Sequence, residues 1–345
     1  MRIGLIARCD NTGLGNQTLE LAKILDPDKV LLINSAPFNR NVQYPERYSE
    51  YNSKISMGSP NTNLIAQFLN NLDVVISCET FYYPGFIKAA RKRGVKTILQ
   101  YNYEFLDNLA DQSLALPDVL LAPSLWMIDD VKEKFGNKCR VEYLPPPTTE
   151  ELFVDAKDSN IKTRHNRILH IAGKKAFADR NGTDTVIEML KHSTADYELV
   201  IASQSDILTE VNDSRLTILK DNVLDRQDMY KNFDAMILPR RYAGLCLPMN
   251  EALLSGLPVF MTDISPNNII LPKKWVVPAK VKDQFKGRTL LDIYEADPKA
   301  LAQIVDDYVN SSQTRQKKAA YKIGHKNFSA NVLKAKYEKL IKSLQ

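Results

Sequence analysis

The chain has 345 residues, 44% of them hydrophobic, and a formal net charge of +5. That length is more than one core usually fills, so two domains are expected, and no apolar run approaches the ~18 residues of a membrane span. The mild basicity suits an anionic ligand or nucleic acid and requires neither, and four scattered cysteines (Cys9, Cys78, Cys139, Cys246) exclude a paired-cysteine metal site.

Arg2–Arg8 reads as a first buried strand that runs through a glycine turn into an amphipathic helix ending near Leu25. Gly13 and Gly15 in that turn let backbone approach a ligand closely. A lone G-x-G also opens dinucleotide-binding folds, but those want an acidic residue after the second strand, and Lys29–Asn34 ends in asparagine. A nicotinamide cofactor is therefore disfavoured. Asp26-Pro27-Asp28 is formally D-x-D, yet its place between helix and strand is that of an ordinary turn.

Asn71–Ser77, Val95–Leu99 and Val119–Ala122 continue the strand series, with a basic helix around Ile87–Arg93. Polar residues gather just after these strands: Glu79, Thr80, Tyr101, Asn102, Glu104 and Ser124. In open parallel sheets this is the edge where ligands bind. Taken singly each is more often a cap or a satisfied loop residue; taken together they are acceptor-side candidates. After Val141–Leu144, three consecutive prolines and a polar segment to Asn166 mark a linker.

The second half restarts with Arg167–Ala172, Gly173-Lys174-Lys175 and a loop, Asp179–Gly182, that opens a helix. Glu198–Ala202 and Leu216–Leu219 are further strands. Asp234–Leu238 is then a short strand ended by Pro239, with a basic loop from Arg240 to Cys246. Pro248 suits the first turn of the next helix, which Gly256 and Pro258 stop. Strand, loop and helix start together form an anion pocket, with backbone N–H groups around Ala243–Leu247 and two arginines beside them. Glu251 either complements the helix dipole or accepts hydrogen bonds from sugar hydroxyls. Pro278–Pro298 has no clear period, and Lys317–Leu344 reads as a basic helix.

This stretch resembles the donor-site signature of GT-B glycosyltransferases of retaining family 4, P-S-x-x-E-G-F-G-L-P-x-x-E-A-x-x-x-G-x-P-V. Pro239, Gly244, Leu247, Pro248, Glu251, Ala252, Gly256, Pro258 and Val259 fall in the same register. PRRYAGLCLPMNEA looks most like divergent phage-encoded members. The resemblance implies an α/β fold of two Rossmann-like, doubly wound domains facing across a cleft. The acceptor-side domain would span 1–147, a linker 148–166 and the donor domain 167–315, with a C-terminal helix (316–345) returning to the first domain.

What the resemblance implies about chemistry is equally specific. The chain is expected to be a hexosyl- or pentosyltransferase that takes a sugar from a nucleoside-diphosphate sugar, UDP-sugar first, with retention and without a metal. Glu251 would hold the ribose. Lys174 and Arg180, with the N–H groups of Ala243, Gly244 and Leu245 and with Arg240 nearby, would neutralise the diphosphate. Asp221-Asn222-Val223 would lie against the base, and Asp10 or Glu104 would orient the acceptor hydroxyl. The signature's first glutamate falls on Ala243, which leaves the sugar contact unfilled and keeps a non-catalytic nucleotide-sugar binder open, as it does a phosphorolytic enzyme of the same fold. Expected acceptors are a hydroxymethylated DNA base or a virion protein, then a surface glycan or small alcohol. A monomer or weak dimer in a reduced cytoplasm, the host's if phage-encoded, completes the expectation.

Overall fold

The computed structural model describes residues 1–39, 41–109, 115–149, 166–173, 179–205, 207, 211–220, 226, 228–286 and 289–345. The chain divides into two compact units, Met1–Thr148 with Ala330–Gln345, and Thr149–Ser329. Most of the expected linker, residues 150–165, lies outside the described residues. Among those that are described, no helix is long and apolar enough to cross a membrane.

The first unit runs β1 (Ile3–Arg8), α1 (Gly13–Leu25), β2 (Lys29–Asn34), β3 (Ser53–Met57), α2 (Thr62–Leu69), β4 (Val74–Cys78), α3 (Phe86–Arg91), β5 (Lys96–Gln100), β6 (Val119–Ala122), α4 (Ile128–Phe135) and β7 (Arg140–Tyr143). Its strands form one parallel sheet in the order β3-β2-β1-β4-β5-β6-β7. Leu5, Val30, Val74 and Ile76 pack on one face with α1, while their neighbours Ile6, Leu31 and Val75 are buried as well. Strands covered on both faces must be apolar throughout, which is why they read so clearly as runs.

The C-terminal helix (Ala330–Lys342) belongs to this unit and packs Leu333, Tyr337, Leu340 and Ile341 into the same cluster. A buried amide anchors it. Gln100 Nε2 donates to the Tyr337 hydroxyl (3.1 Å) and the Leu144 carbonyl oxygen (2.9 Å), and the Tyr337 hydroxyl lies 3.0 Å from the Pro145 carbonyl oxygen. Where one continuous helix was expected from Lys317, the chain instead breaks at the extended residue Ser329, and Ala330 N donates to Thr148 O at 3.0 Å. The segment that joins the first unit therefore begins at Ala330, and the preceding helix stays with the second.

The second unit comprises β8 (Arg167–Gly173), α5 (Thr183–Met189), β9 (Glu198–Ser203), β10 (Leu216–Lys220), β11 (Ala235–Leu238), α6 (Leu247–Leu254), β12 (Val259–Thr262), α7 (Asn267–Ile270), β13 (Val276–Val277), β14 (Ala279–Lys286), β15 (Leu290–Ala296), α8 (Pro298–Val309) and α9 (Gln313–Phe328); the C-terminal helix is α10. Its parallel sheet has the order β10-β9-β8-β11-β12-β13. Both units are thus Rossmann-like α/β layers. Residues 278–298, without a clear period, form the antiparallel hairpin β14–β15. Helix α9 crosses α6 closely because Gly324 has no side chain: a Cβ there would sit 2.6 Å from the Leu253 and Leu254 backbone.

One buried ring fixes β8 to β11 and α5. His170 is fully buried, with Nδ1 2.9 Å from the Ile237 carbonyl oxygen and Nε2 2.9 Å from Thr183 Oγ1. A carbonyl can only accept, so Nδ1 carries the proton and Nε2 accepts from the Thr183 hydroxyl. Burial depresses the ring's pKa from 6.5 to about 4, despite the upward pull of the Ile237 carbonyl. Because the unfolded chain binds this proton first, stability present above pH 6.5 is lost as pH falls towards 4, by a few kcal/mol (~3) at most. Denaturant midpoints measured across that window are expected to fall in the wild type and to fall less steeply in His170→Gln.

Candidate functional site

In the second unit the sheet order reverses between β8 and β11, and at such switch points the loops after the strands leave a crevice for ligands. Both loops carry signature residues. After β8, Asn181 Nδ2 donates to the carbonyl oxygens of Ile171 (3.0 Å) and Ala172 (3.1 Å). Asp179 caps α5 by accepting from Asp184 N at 2.9 Å. Gly182 sits at φ +73°, and a Cβ there would lie 2.3 Å from the Pro239 carbonyl oxygen, so only glycine lets this loop rest on the loop after β11. Arg180 then seals the pair: Nη2 donates to Ala243 O (3.2 Å), its guanidinium lies 4.7 Å from the Tyr242 ring centroid, and its carbonyl accepts from Arg241 N (2.9 Å).

The loop after β11 is shaped from below. Arg240 is only 5% exposed; its Nη1 donates to Leu245 O (3.2 Å) and its carbonyl accepts from Thr262 Oγ1 (2.7 Å). Gly244 adopts φ +122°, which a side chain would oppose. Among the described residues no acceptor pairs with the N–H groups of Ala243, Gly244 and Leu245, which precede α6. Unpaired amides at a helix start with a cation beneath them are the ingredients of an anion site. Arg241, the second arginine of the pair, is instead turned to the hairpin: its carbonyl accepts from Tyr294 N (2.6 Å) and its Nε donates to Tyr294 O (3.2 Å).

Glu251 lies on α6 and is 6% exposed. Arg226 Nε donates to its Oε1 at 2.7 Å, Arg226 Nη2 lies 2.7 Å from the same oxygen in the ion pair without hydrogen-bond geometry, and the Tyr230 hydroxyl donates to Oε2 at 2.7 Å. Burial and the adjacent carboxylate hold the Tyr230 hydroxyl well above its ordinary pKa, so it remains a donor. Sequence reading missed both partners, because they lie in a polar stretch with no periodic signal, 25 and 21 residues before the glutamate. Lys174 and the base-side segment 221–223 lie outside the described residues. A cavity of about 790 Å³ beside the hairpin is lined by Asp184, Glu188 and Lys280 among others, and by none of the signature residues.

The other expected site residues belong to the first unit. Asp10 is fully buried and accepts from Thr12 N (3.3 Å), Thr12 Oγ1 (2.6 Å), Ser35 Oγ (2.7 Å) and Arg8 Nε (3.0 Å), with Arg8 Nη2 as a further close partner. Burial alone would raise its pKa, but these donors lower it below the ordinary value. A carboxylate offers about four lone-pair positions, so this one is saturated by its own loop and has none left for an acceptor hydroxyl. The expected role of Asp10 is therefore corrected to a structural one. Gly15 has the same explanation: a Cβ would sit 1.9 Å from Asp10 O, and Thr12 caps α1 by accepting from Gly15 N. Gly13 is simply the first residue of that helix.

Glu104 occupies a 3-10 turn (Tyr103–Leu109) and is half-buried near Glu79, whose pKa it helps to raise. Burial is the main cause of that rise, opposed by the nearby Arg8 charge and a hydrogen bond with Asn102. Glu79 and Tyr82 take φ +67° and +59°, an uncommon region for residues with side chains. Both line a cavity of about 500 Å³ at the ends of β4 and β5, together with Tyr83, Tyr101, Asn102 and Phe105.

Comparison with known proteins fits this geometry. Residues 165–307 match the family model described as Glycosyl transferases group 1. No curated protein matches the sequence at a significant level. Among solved structures, Anabaena HepE in complex with UDP and glucose superposes with a TM-score of 0.68 at 11% identity, covering 99% of this chain and 100% of that one. A glycosyltransferase from Rickettsia africae gives 0.69 at 12% identity over 99% and 98%. Sucrose-phosphate synthase from Thermosynechococcus elongatus gives 0.67 at 12% identity over 100% and 99%. Residues 165–307 thus match the group 1 glycosyltransferase model, and the chain over its whole length has the GT-B fold of these solved structures.

Proposed function

We propose that the second unit binds a nucleoside-diphosphate sugar, UDP-sugar first, and that the enzyme transfers its hexosyl or pentosyl group to an acceptor hydroxyl with retention. The observation that carries this reading is the row of N–H groups at Ala243–Leu245 that have no acceptor among the described residues, backed by buried Arg240 at the switch point of the sheet. Transfer makes a bond from the acceptor oxygen to the anomeric carbon and breaks the bond to the diphosphate, which departs with the electron pair and takes up the proton released by the acceptor hydroxyl. Preorganised amides and the Arg180 guanidinium would take up that charge, with Lys174 as a second cation. In this reading the protein supplies the neutralisation and no metal is needed. HepE, crystallised with UDP and glucose, is a relative in fold that supports the choice of nucleotide.

Ala243, in place of the signature's first glutamate, favours a non-catalytic binder as the second reading, and one experiment separates the two. UDP and UDP-sugars are expected to raise the melting temperature, since a ligand at 100 times its dissociation constant adds about 2.7 kcal/mol. The same sample should release UDP slowly from at least one UDP-sugar, with or without a chelator. Stabilisation without any release supports the binder; an absence of stabilisation by every sugar nucleotide refutes both. A hydroxymethylated base in phage DNA, a virion protein and a surface glycan are the acceptor classes this fold leaves open.

A further inference from the structure

The sheet of the first unit ends at β3, which pairs with β2 alone. The ladder between the two strands shows which backbone groups of β3 are already used. Val30 N donates to Asn52 O and Gly58 N donates to Asn34 O, both at 3.0 Å, so the even-numbered residues of β3 face β2. Ser53, Ile55 and Met57 therefore turn their N–H and C=O groups outward, where nothing among the described residues meets them. Their side chains share one face of the sheet. Ile55 is 50% and Met57 68% exposed there, and Phe38, 56% exposed, lies with its ring beside Gly58 at the end of the strand.

Open edges are ordinarily blunted by charge, by a bulge or by a covering element. Strand β14 bears Lys280, Lys282 and Lys286 and a bulge between Val281 and Asp283. At the far edge of the first sheet, β7 bears Arg140 and Glu142, and Arg140 Nη1 donates to Ser343 Oγ at 2.6 Å, just past α10. Strand β3 keeps an unbroken register and carries a single charge, Lys54, whose ammonium donates to Gln67 Oε1 of α2 at 3.0 Å, on the face opposite Ile55. We infer that this edge pairs with β3 of a second copy of the chain, running antiparallel about a two-fold axis through Ile55. In that register Ile55 faces Ile55 and Ser53 faces Met57, so the outward N–H and C=O groups of all three residues are paired. Lys54 falls opposite Ser56, whereas an axis through Lys54 would set two lysines face to face. The strand is thus complementary to itself in hydrogen bonds and in charge, as an isologous interface requires. Phe38 extends the apolar contact at each end. Pairing through five residues a side makes a small interface, and therefore a micromolar dimer.

The test follows the mass of the full chain by sedimentation and light scattering over roughly 1–200 µM, where monomer is expected to pass into dimer. Ile55→Lys and Ile55→Glu each place like charges at the axis and should weaken association at least about tenfold. Mixed in equal amounts, the two variants should form a dimer again, because lysine then faces glutamate. Since Ile55 is half exposed in the monomer, both variants should melt as the wild type does at dilutions where every chain is monomeric. If one melts lower, the mixed sample still decides, because a misfolded chain is not rescued by its counterpart. A wild type that stays monomeric over this range overturns the inference and leaves the edge to a foreign strand. A dimer that survives both substitutions places the interface elsewhere, and a mixture that stays monomeric removes the axis at Ile55; either result overturns it too.

Discussion

Glu251→Ala is expected to weaken UDP binding about a hundredfold, the sum of two hydrogen bonds to a charged acceptor at roughly 1.5 kcal/mol each. The carboxylate is well suited to hold ribose hydroxyls because it cannot drift: Arg226 and Tyr230 grip its two oxygens at 2.7 Å. The same grip means that alanine also removes a partner from each of those groups, costing about 1–3 kcal/mol of stability in the absence of ligand. Affinity and stability would then fall together for a merely structural glutamate as well. What separates the two roles is the ribose itself. Wild-type protein should prefer UDP to 2′-deoxy-UDP by about tenfold, and Glu251→Ala should bind them equally. Calorimetric titrations in which the variant keeps the wild-type preference would refute the ribose assignment.

How much of this was legible in the sequence depends on whether the signal is local. Strands such as Leu31–Ile33 or Ala235–Leu238 are buried on both faces and carry their burial in their own residues. The β11–α6 turn is local too, since Gly244, Pro248 and Gly256 each answer to a backbone demand at their own position. Edge elements invert the rule. In β3 the serine at position 56 is buried while Ile55 is 50% exposed, so pattern reading passes over it. The hairpin β14–β15 carries charges at Lys280, Lys282, Asp283, Lys286, Asp292 and Glu295 and is joined through Arg241 to the signature loop, a link that no periodicity encodes. Asp10 misled for a related reason. A carboxylate after a first strand looks poised for chemistry, and only the folded loop shows Thr12, Ser35 and Arg8 converging on it. The break at Ser329 is likewise tertiary, because neither glycine nor proline stands there to announce it.

Lys317 is the sharpest instance and carries the largest expected loss of stability. In the sequence it opens the basic segment Lys317–Leu344 and nothing marks it for burial. In the fold it is 2% exposed, pointing its ammonium at Asp234, which has no exposed surface at all. The carboxylate also accepts from Arg167 N at 3.0 Å, and the Asp234 carbonyl accepts from the Tyr308 hydroxyl at 2.6 Å, so α8, α9, β8 and β11 meet at one charged pair. A buried pair of this kind contributes modestly while intact, since desolvation offsets most of the attraction, but removing one partner strands the other charge in the core at about 3–5 kcal/mol. Lys317→Met keeps most of the side-chain volume and removes only the cation. It is expected to lower the unfolding free energy by that amount in urea titration, with the slope of the transition unchanged. The companion Asp234→Asn, Lys317→Met should recover a large part of the loss, because no uncompensated charge remains. A single variant as stable as the wild type would show that the ammonium is not needed there. A double variant no better than the single would show that the loss comes from packing instead, which a methionine of similar length gives little reason to expect.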